Sequence, residues 1–197
     1  MKKLILNYLM KRISRKGNYD DIKLQEIRYG LEAIYLNVSR FTVFFLINFL
    51  IGNFITGLLF FLFFVPIKSF SWGFHAKTSW QCWLISSIAF VGLPLLVNYI
   101  YFDLISKIIL CTAFLLAMWC WAPADTPKRP LINKDTRNKL RNSAILITII
   151  YIALIFNTEL TNILVLALLL QCFLISPFTY LSFNMEYKNY QSYQVRV

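Results

Sequence analysis

The only histidine of the chain, His75, stands seven residues before a cysteine, Cys82, within the stretch KSFSWGFHAKTSWQCWL at residues 68–84. A cysteine attacks as its thiolate, and an enzyme that cleaves an amide must also protonate the departing amine. One histidine can serve as base and then as acid. On an unbroken helix the rise of about 1.5 Å per residue would hold the two side chains roughly 10 Å apart, too far for proton transfer. A helix is therefore expected to begin between them. Thr78-Ser79-Trp80-Gln81 has the pattern of a capping box, with Thr78 as N-cap and Gln81 reaching back from the third helical position. Cys82 then falls in or just after the first turn, where unpaired amides and the positive end of the helix dipole favour a thiolate. His75 belongs to the preceding loop, with Gly73 letting the backbone fold back. Gln81 is taken up by the cap, Asp125 is distant in sequence, and Glu32 could approach only if its helix packs on the Cys82 helix. The reading is a dyad, with an oxyanion hole from amides at the start of the Cys82 helix. A single histidine and no His/Glu pair argue against a metalloprotease, so neither metal nor other cofactor is expected.

The elements that must position this pair are apolar. The chain has 197 residues, 58% of them hydrophobic, a composition too apolar for a soluble domain and a length too short for two ordinary ones. It reads as one all-α, polytopic integral membrane domain over residues 1–197. The formal charge of +11 could suggest nucleic acid, but the basic residues lie between apolar runs. Anionic membrane lipid and an acidic peptide are the better partners, and nucleic acid is not expected. Cys111, Cys120 and Cys172 lie inside apolar runs without metal or disulfide spacing. The short apolar run near the start lacks a small-residue cleavage site and does not read as a cleavable signal.

Residues 1–28 hold eight of the twenty basic residues, mixed with Leu4, Ile5, Tyr8, Leu9 and Ile13 at helical spacing. That is the pattern of an amphipathic helix on the inner membrane surface, broken at Gly17-Asn18 before a second helix from Asp20-Asp21. About 20 apolar residues cross a bilayer, and six hydrophobic spans are expected: 29–51, a return at 54–65 after a turn at Gly52-Asn53, then 80–99, 104–121, 143–157 and 161–183. The first two could instead form a re-entrant hairpin, because the return leg is short. Arg40 would lie within the first span, where a charge is costly and usually paired or functional; alternatively the helix begins later and leaves Arg40 at the interface. Segment 122–141 holds Lys128, Arg129, Lys134, Arg137, Lys139 and Arg141 against Asp125 and Asp135, so it is expected to be a cytoplasmic loop. The turns near 98–103 and 157–162 carry the acids Asp103 and Glu159 and suit the outside. Counting back, the catalytic loop at 66–80 and both termini are cytoplasmic.

Gly73, His75, Ala76 and Cys82, followed by Ala122-Pro123-Ala124-Asp125 and Pro130, in a chain of this length and layout, resemble the accessory gene regulator protein B (AgrB) family. Two departures are Lys68, where an arginine is usual, and Trp72, where glycine or another residue may stand. The resemblance implies a bacterial cell-membrane cysteine endopeptidase of quorum sensing, with His75 and Cys82 as its catalytic pair and a homodimeric assembly. Such an enzyme cleaves the C-terminal part of a precursor peptide through a thioester and promotes cyclisation to a thiolactone or lactone. Lys68, Lys128, Arg129, Lys134 and Arg40 are the candidates for holding a precursor with an acidic C-terminal region. The competing class is a six-span transporter or exporter of a small peptide, which would share the spans and the basic loops but has no need of the dyad.

Overall fold

The computed structural model of the protein describes residues 2–15, 17, 19–74, 78–126 and 130–191, and regular structure among them is helical. Contacts divide the chain into two compact units, Met1–Ile47 and Asn48–Val197. In the first, helix α1 (Lys2–Ser14) carries basic residues amid apolar ones as expected, and α2 (Asp21–Leu50) starts anew after it. The Asp20 carboxylate accepts a hydrogen bond from the Lys23 amide at 2.8 Å and so marks the start of α2. Arg40 is therefore well inside a helix, and the alternative of a later helix start does not hold.

In the second unit, Gly52 turns the chain with φ of +73°, and α3 (Phe54–Ser71) follows. This corrects the expected return leg at 54–65. The helix continues through Pro66 to Ser71 and is 18 residues long, about 27 Å at 1.5 Å per residue. Lys68, expected in the catalytic loop at 66–80, is instead in the last turn of α3, which runs to Ser71, and α4 begins at Ser79.

The expected span at 80–99 is interrupted. Helix α4 (Ser79–Ser87) widens into a π turn (Ile88–Gly92) before α5 (Leu93–Leu96). Pro94 has no amide hydrogen for the Phe90 carbonyl, and its ring would crowd that oxygen in a regular α-helix. The fully buried Asn48 supplies the missing donor, its side-chain nitrogen lying 2.8 Å from the Phe90 oxygen. Asn48 fits because it packs on Gly57, where a Cβ would come within 2.9 Å of its side chain.

Helix α6 (Leu104–Trp121) is capped by Asp103, whose carboxyl accepts from the Ser106 amide at 3.3 Å and is held below its ordinary value chiefly by hydrogen bonding to the Ser106 side chain, with the backbone amides adding to it. Helix α7 (Lys134–Asn157) starts well before the apolar run at Ser143, because Asn133 caps the amides of Asp135 and Thr136 at 2.8 and 3.2 Å. This corrects the expected loop at 122–141 from residue 134 onward: Lys134, Arg137, Lys139 and Arg141 are helical. Helix α8 (Thr161–Ile175) is apolar nearly all round and mostly buried, with Leu169 and Phe173 exposed. It packs on α3, α6 and α7, and its Leu164, Leu168 and Ile175 share one core with Phe60, Phe64 and Ile67 of α3. The expected span at 161–183 ends early at Ser176, where Pro177 begins α9 (Pro177–Ser182).

Outward-facing Ile105, Ile108, Ile109 and Leu116 on α6 and Leu146, Ile149 and Ile150 on α7 form apolar surface far larger than a water-soluble protein tolerates. Among the described residues α2, α3, α6 and α7 are long and apolar enough to cross a bilayer, with shorter apolar helices at Trp80–Leu96 and Thr161–Ile175. The chain is a polytopic helical membrane protein. Its turns sort to two ends. The Asn162 side-chain amide donates to the carbonyls of Val97 and Ile100 at 2.8 and 2.7 Å, tying the turn before α6 to the start of α8. At the opposite end Trp72 pairs with Ala124, so the loops after α3 and after α6 lie together. All five tryptophans, Trp72, Trp80, Trp83, Trp119 and Trp121, are at or within two turns of those loops, as in an interfacial aromatic belt. Single cysteines placed at Tyr101 and Lys134, in a chain stripped of its own, should give opposite answers with an impermeant label on intact cells. The expected result is labelling at position 101 only; labelling of both would overturn the pairing of ends.

Candidate active site at the start of the Cys82 helix

The capping box is formed in full. Thr78 is extended, its Oγ1 accepts from the Gln81 amide at 3.3 Å, and the Gln81 Oε1 accepts from the Thr78 amide at 3.4 Å. The Cys82 amide makes the first intrahelical bond, to the Thr78 carbonyl at 3.1 Å. Cys82 is thus the fourth residue of α4, half-buried and in no disulfide. Trp80 and Trp83 beside it are exposed, which puts the thiol at the level of the aromatic belt. Cys111 is buried, Cys172 half-buried and Cys120 exposed, each within an apolar helix.

His75 and Lys77 lie outside the described residues, but the anchor immediately before His75 is well defined. Gly73 has φ of +109°, and a Cβ there would come within 2.9 Å of the Leu174 carbonyl oxygen, so both conformation and space call for glycine. Its amide donates to the Ala124 carbonyl at 2.8 Å, the Ala124 amide to the Ser71 carbonyl at 3.1 Å, and the Phe74 amide to the Leu174 carbonyl at 2.8 Å. Gln171, wholly buried on α8, donates to the Ser71 hydroxyl at 2.6 Å and the Trp72 carbonyl at 2.8 Å. Lys68 points its ammonium at the Phe74 carbonyl, 3.4 Å away. The buried Phe74 ring packs 4.5 Å from that of Phe183.

Asp125, which had no assignable role in the sequence, is 1% exposed and receives three backbone amides. Oδ1 accepts from Asn189 at 2.8 Å; Oδ2 accepts from Tyr190 at 2.9 Å and Leu131 at 3.2 Å. With both oxygens engaged, it closes the loop after α6 onto the segment after α9 as a structural staple. The Tyr180 hydroxyl adds bonds to the carbonyls of Asp125 and Ala124 at 3.0 and 3.3 Å. Burial, with smaller contributions from Tyr190 and Asp125, pushes the Tyr187 phenol up to about 12, so it stays a neutral donor toward the Trp121 carbonyl.

Of the other candidate residues, Lys128 and Arg129 lie outside the described residues. Lys134 is exposed at the first position of α7, and Arg40 is within α2 in the first unit. The structure brings Lys68, Gly73, Ala124 and Asp125 together where the segment after α3 meets the segment after α6. The supporting residues that sequence reasoning missed are Ser71, Gln171, Tyr180 and Asn189. Only Gln171 left a usable signal, as an isolated amide inside an apolar span, where a polar side chain must find a partner.

The profile of the family described as Accessory gene regulator B matches residues 3–175, and this membrane protein belongs to that family. A putative AgrB-like protein of Listeria innocua is 34% identical over 174 residues, covering 86% of this chain and 84% of the Listeria protein. A putative AgrB-like protein of Clostridium acetobutylicum is 28% identical over 93% of this chain and 89% of its own length. Accessory gene regulator protein B of Staphylococcus aureus is 28% identical over 85% of this chain and 90% of its own length. No solved structure matches significantly. Family membership supports a role in processing a quorum-sensing autoinducer.

Two substitutions test the site's construction. Asp125→Ala would orphan three amides, at about 1 kcal/mol or more each. It should lower the melting temperature and expose the segment around Tyr190 to protease; an unchanged melting curve would contradict the staple. Thr78→Ala removes a cap worth about 0.5–2 kcal/mol. In a variant lacking Cys111, Cys120 and Cys172, alkylation of Cys82 should slow several-fold, and Thr78→Ser should restore the rate. Equal rates in all three proteins would mean the cap does not govern the thiol.

Proposed function

We propose that the chain is a membrane cysteine endopeptidase with Cys82 as nucleophile and His75 as general base and then general acid. The observation that carries this reading is the complete capping box, which starts α4 at Ser79 and puts Cys82 at its beginning instead of mid-helix. Cys82 Sγ bonds to the scissile carbonyl carbon of a precursor peptide as its proton passes to His75. The C–N bond then breaks, His75 gives that proton to the leaving amine, and the C-terminal fragment departs from a thioester. A thiol or hydroxyl within the bound peptide attacks the thioester, its proton returning to the Cys82 sulfur, and a cyclic thiolactone or lactone is released. For a thiol this exchange is nearly isoenergetic, so loss of the first fragment must draw it forward and water must be kept out. The setting at the aromatic belt favours exclusion of water.

The whole of residues 1–197 acts as one peptidase domain in a bacterial cell membrane, with both termini and the catalytic loop in the cytoplasm. Its substrate is a precursor with an acidic C-terminal region, held by Lys68, Lys128, Arg129, Lys134 and Arg40, and the assembly is a homodimer. Lys68 donates to the carbonyl of Phe74, the residue before His75 in sequence. The basic segment at residues 1–28 holds to anionic lipid.

The test is co-expression with a candidate precursor, followed by mass analysis of the products. Cys82→Ala and His75→Ala should each lower cleavage by roughly four orders of magnitude or more, with membrane insertion unchanged. The triple replacement of Cys111, Cys120 and Cys172 by alanine should keep most of it. Normal processing by Cys82→Ala would end the peptidase reading and favour a transporter without covalent chemistry.

A further inference from the structure

Where the C-terminal end of α6 meets the first turns of α7, a cavity of about 140 Å³ is lined by Trp119, Arg137, Asn138, Arg141, Lys188 and Tyr190, among others. Three of its lining side chains are cationic and none is acidic. Arg137 is fixed in place: its Nη1 donates to the carbonyls of Leu131 and Ile132 at 2.7 and 2.9 Å, and its guanidinium lies 4.0 Å from the centre of the Tyr190 ring. Arg141 is held more loosely, 5.4 Å over the Trp119 ring and 3.4 Å from the Asn138 Oδ1, and its buried Nε has no acceptor. Lys188 completes the wall from the C-terminal segment. Cations converging on one small space repel one another until an anion joins them, and guanidinium and ammonium groups together suit an oxyanion.

The surroundings indicate which oxyanion. Trp119 is 62% exposed and continues along α6 into the outward-facing stripe of Leu116, Ile109 and Ile105. The cavity therefore sits at the aromatic belt with positive charge at its head and lipid-facing apolar surface below it. It has room for a compact anionic head but not for a length of peptide. We infer that this cavity binds the phosphodiester of an anionic membrane phospholipid, with Arg141 and Lys188 as its ligands, Arg137 as a fixed third charge, and the acyl chains along the outer face of α6. A zwitterionic lipid is disfavoured because its ammonium would enter the same cationic field. The inference stands apart from the peptidase reading.

The experiment uses the full-length protein, purified in a zwitterionic detergent and stripped of lipid. It is titrated with phosphatidylglycerol or phosphatidylcholine and followed by native mass spectrometry and thermal melting. Phosphatidylglycerol should be retained one to one and raise the melting temperature; phosphatidylcholine should do neither. Arg141→Gln with Lys188→Gln should weaken retention at least about tenfold, whereas Lys139→Gln, at an exposed position of the same helix, should leave it unchanged. Equal retention of the two lipids by the wild-type protein would overturn the proposal even if the double variant did not fold. So would equal loss in Lys139→Gln or no loss in the double variant. Inorganic phosphate that matched the lipid's stabilisation would make the cavity a free-anion site. An acidic peptide that displaced the lipid would assign the cavity to substrate.

Discussion

Helices α3 and α8 stop within reach of each other at the tryptophan end of the bundle, and the backbone groups left over at their ends must be satisfied away from bulk water. They are satisfied by one another: the carbonyl of Leu174 takes the Phe74 amide, and Gln171 takes the Trp72 carbonyl. The Ala124 backbone takes the remaining amide of Gly73 and gives its own to Ser71. Each bond contributes only about 1 kcal/mol net, but a buried group left without a partner costs about 1–3 kcal/mol. Three segments about fifty residues apart in sequence are thereby held in one arrangement. The requirement for glycine at position 73 follows from it.

The same logic recurs lower in the bundle. Pro94 removes a donor from the middle of an apolar rod, the helix widens, and Asn48 reaches across from the end of α2 to bond the Phe90 carbonyl. The side chains of Asn48, Gln171, Tyr151 and Asn162 each satisfy backbone carbonyls. Such bonds fix how far each helix runs and which turns share an end. The segment that leads from α3 toward α4 is thereby anchored at the tryptophan end of the bundle.

Two charged side chains, Lys68 and Asp125, belong to that anchor, and the buried Asp125 carboxylate accepts three backbone amides. Arg137 spends its donors on the carbonyls ahead of α7 and so helps to define the loop it follows. The charges along the start of α7 thus divide by helix face: Lys134 and Lys139 turn outward, and Arg137 and Arg141 turn toward Trp119 and Tyr190.

What the sequence determined by itself was whatever closes within a few residues. The capping box needs only Thr78 and Gln81, three apart, and the left-handed turn needs only Gly73; both were legible and both are present. The alternation of basic and acidic turns likewise grouped the loops into two sets, and hydrogen bonds in the structure pair them in the same way. Tertiary structure decided what depends on partners far along the chain. The extent of α3 past Pro66, the early end of α8 at Ser176 and the helical state of the basic run after Asn133 were hidden, because hydropathy marks where a chain is apolar and not where its backbone bonds end. The role of Asp125 was hidden for the same reason: its partners, Asn189 and Tyr190, are more than sixty residues away, and only the packed bundle brings their amides to it.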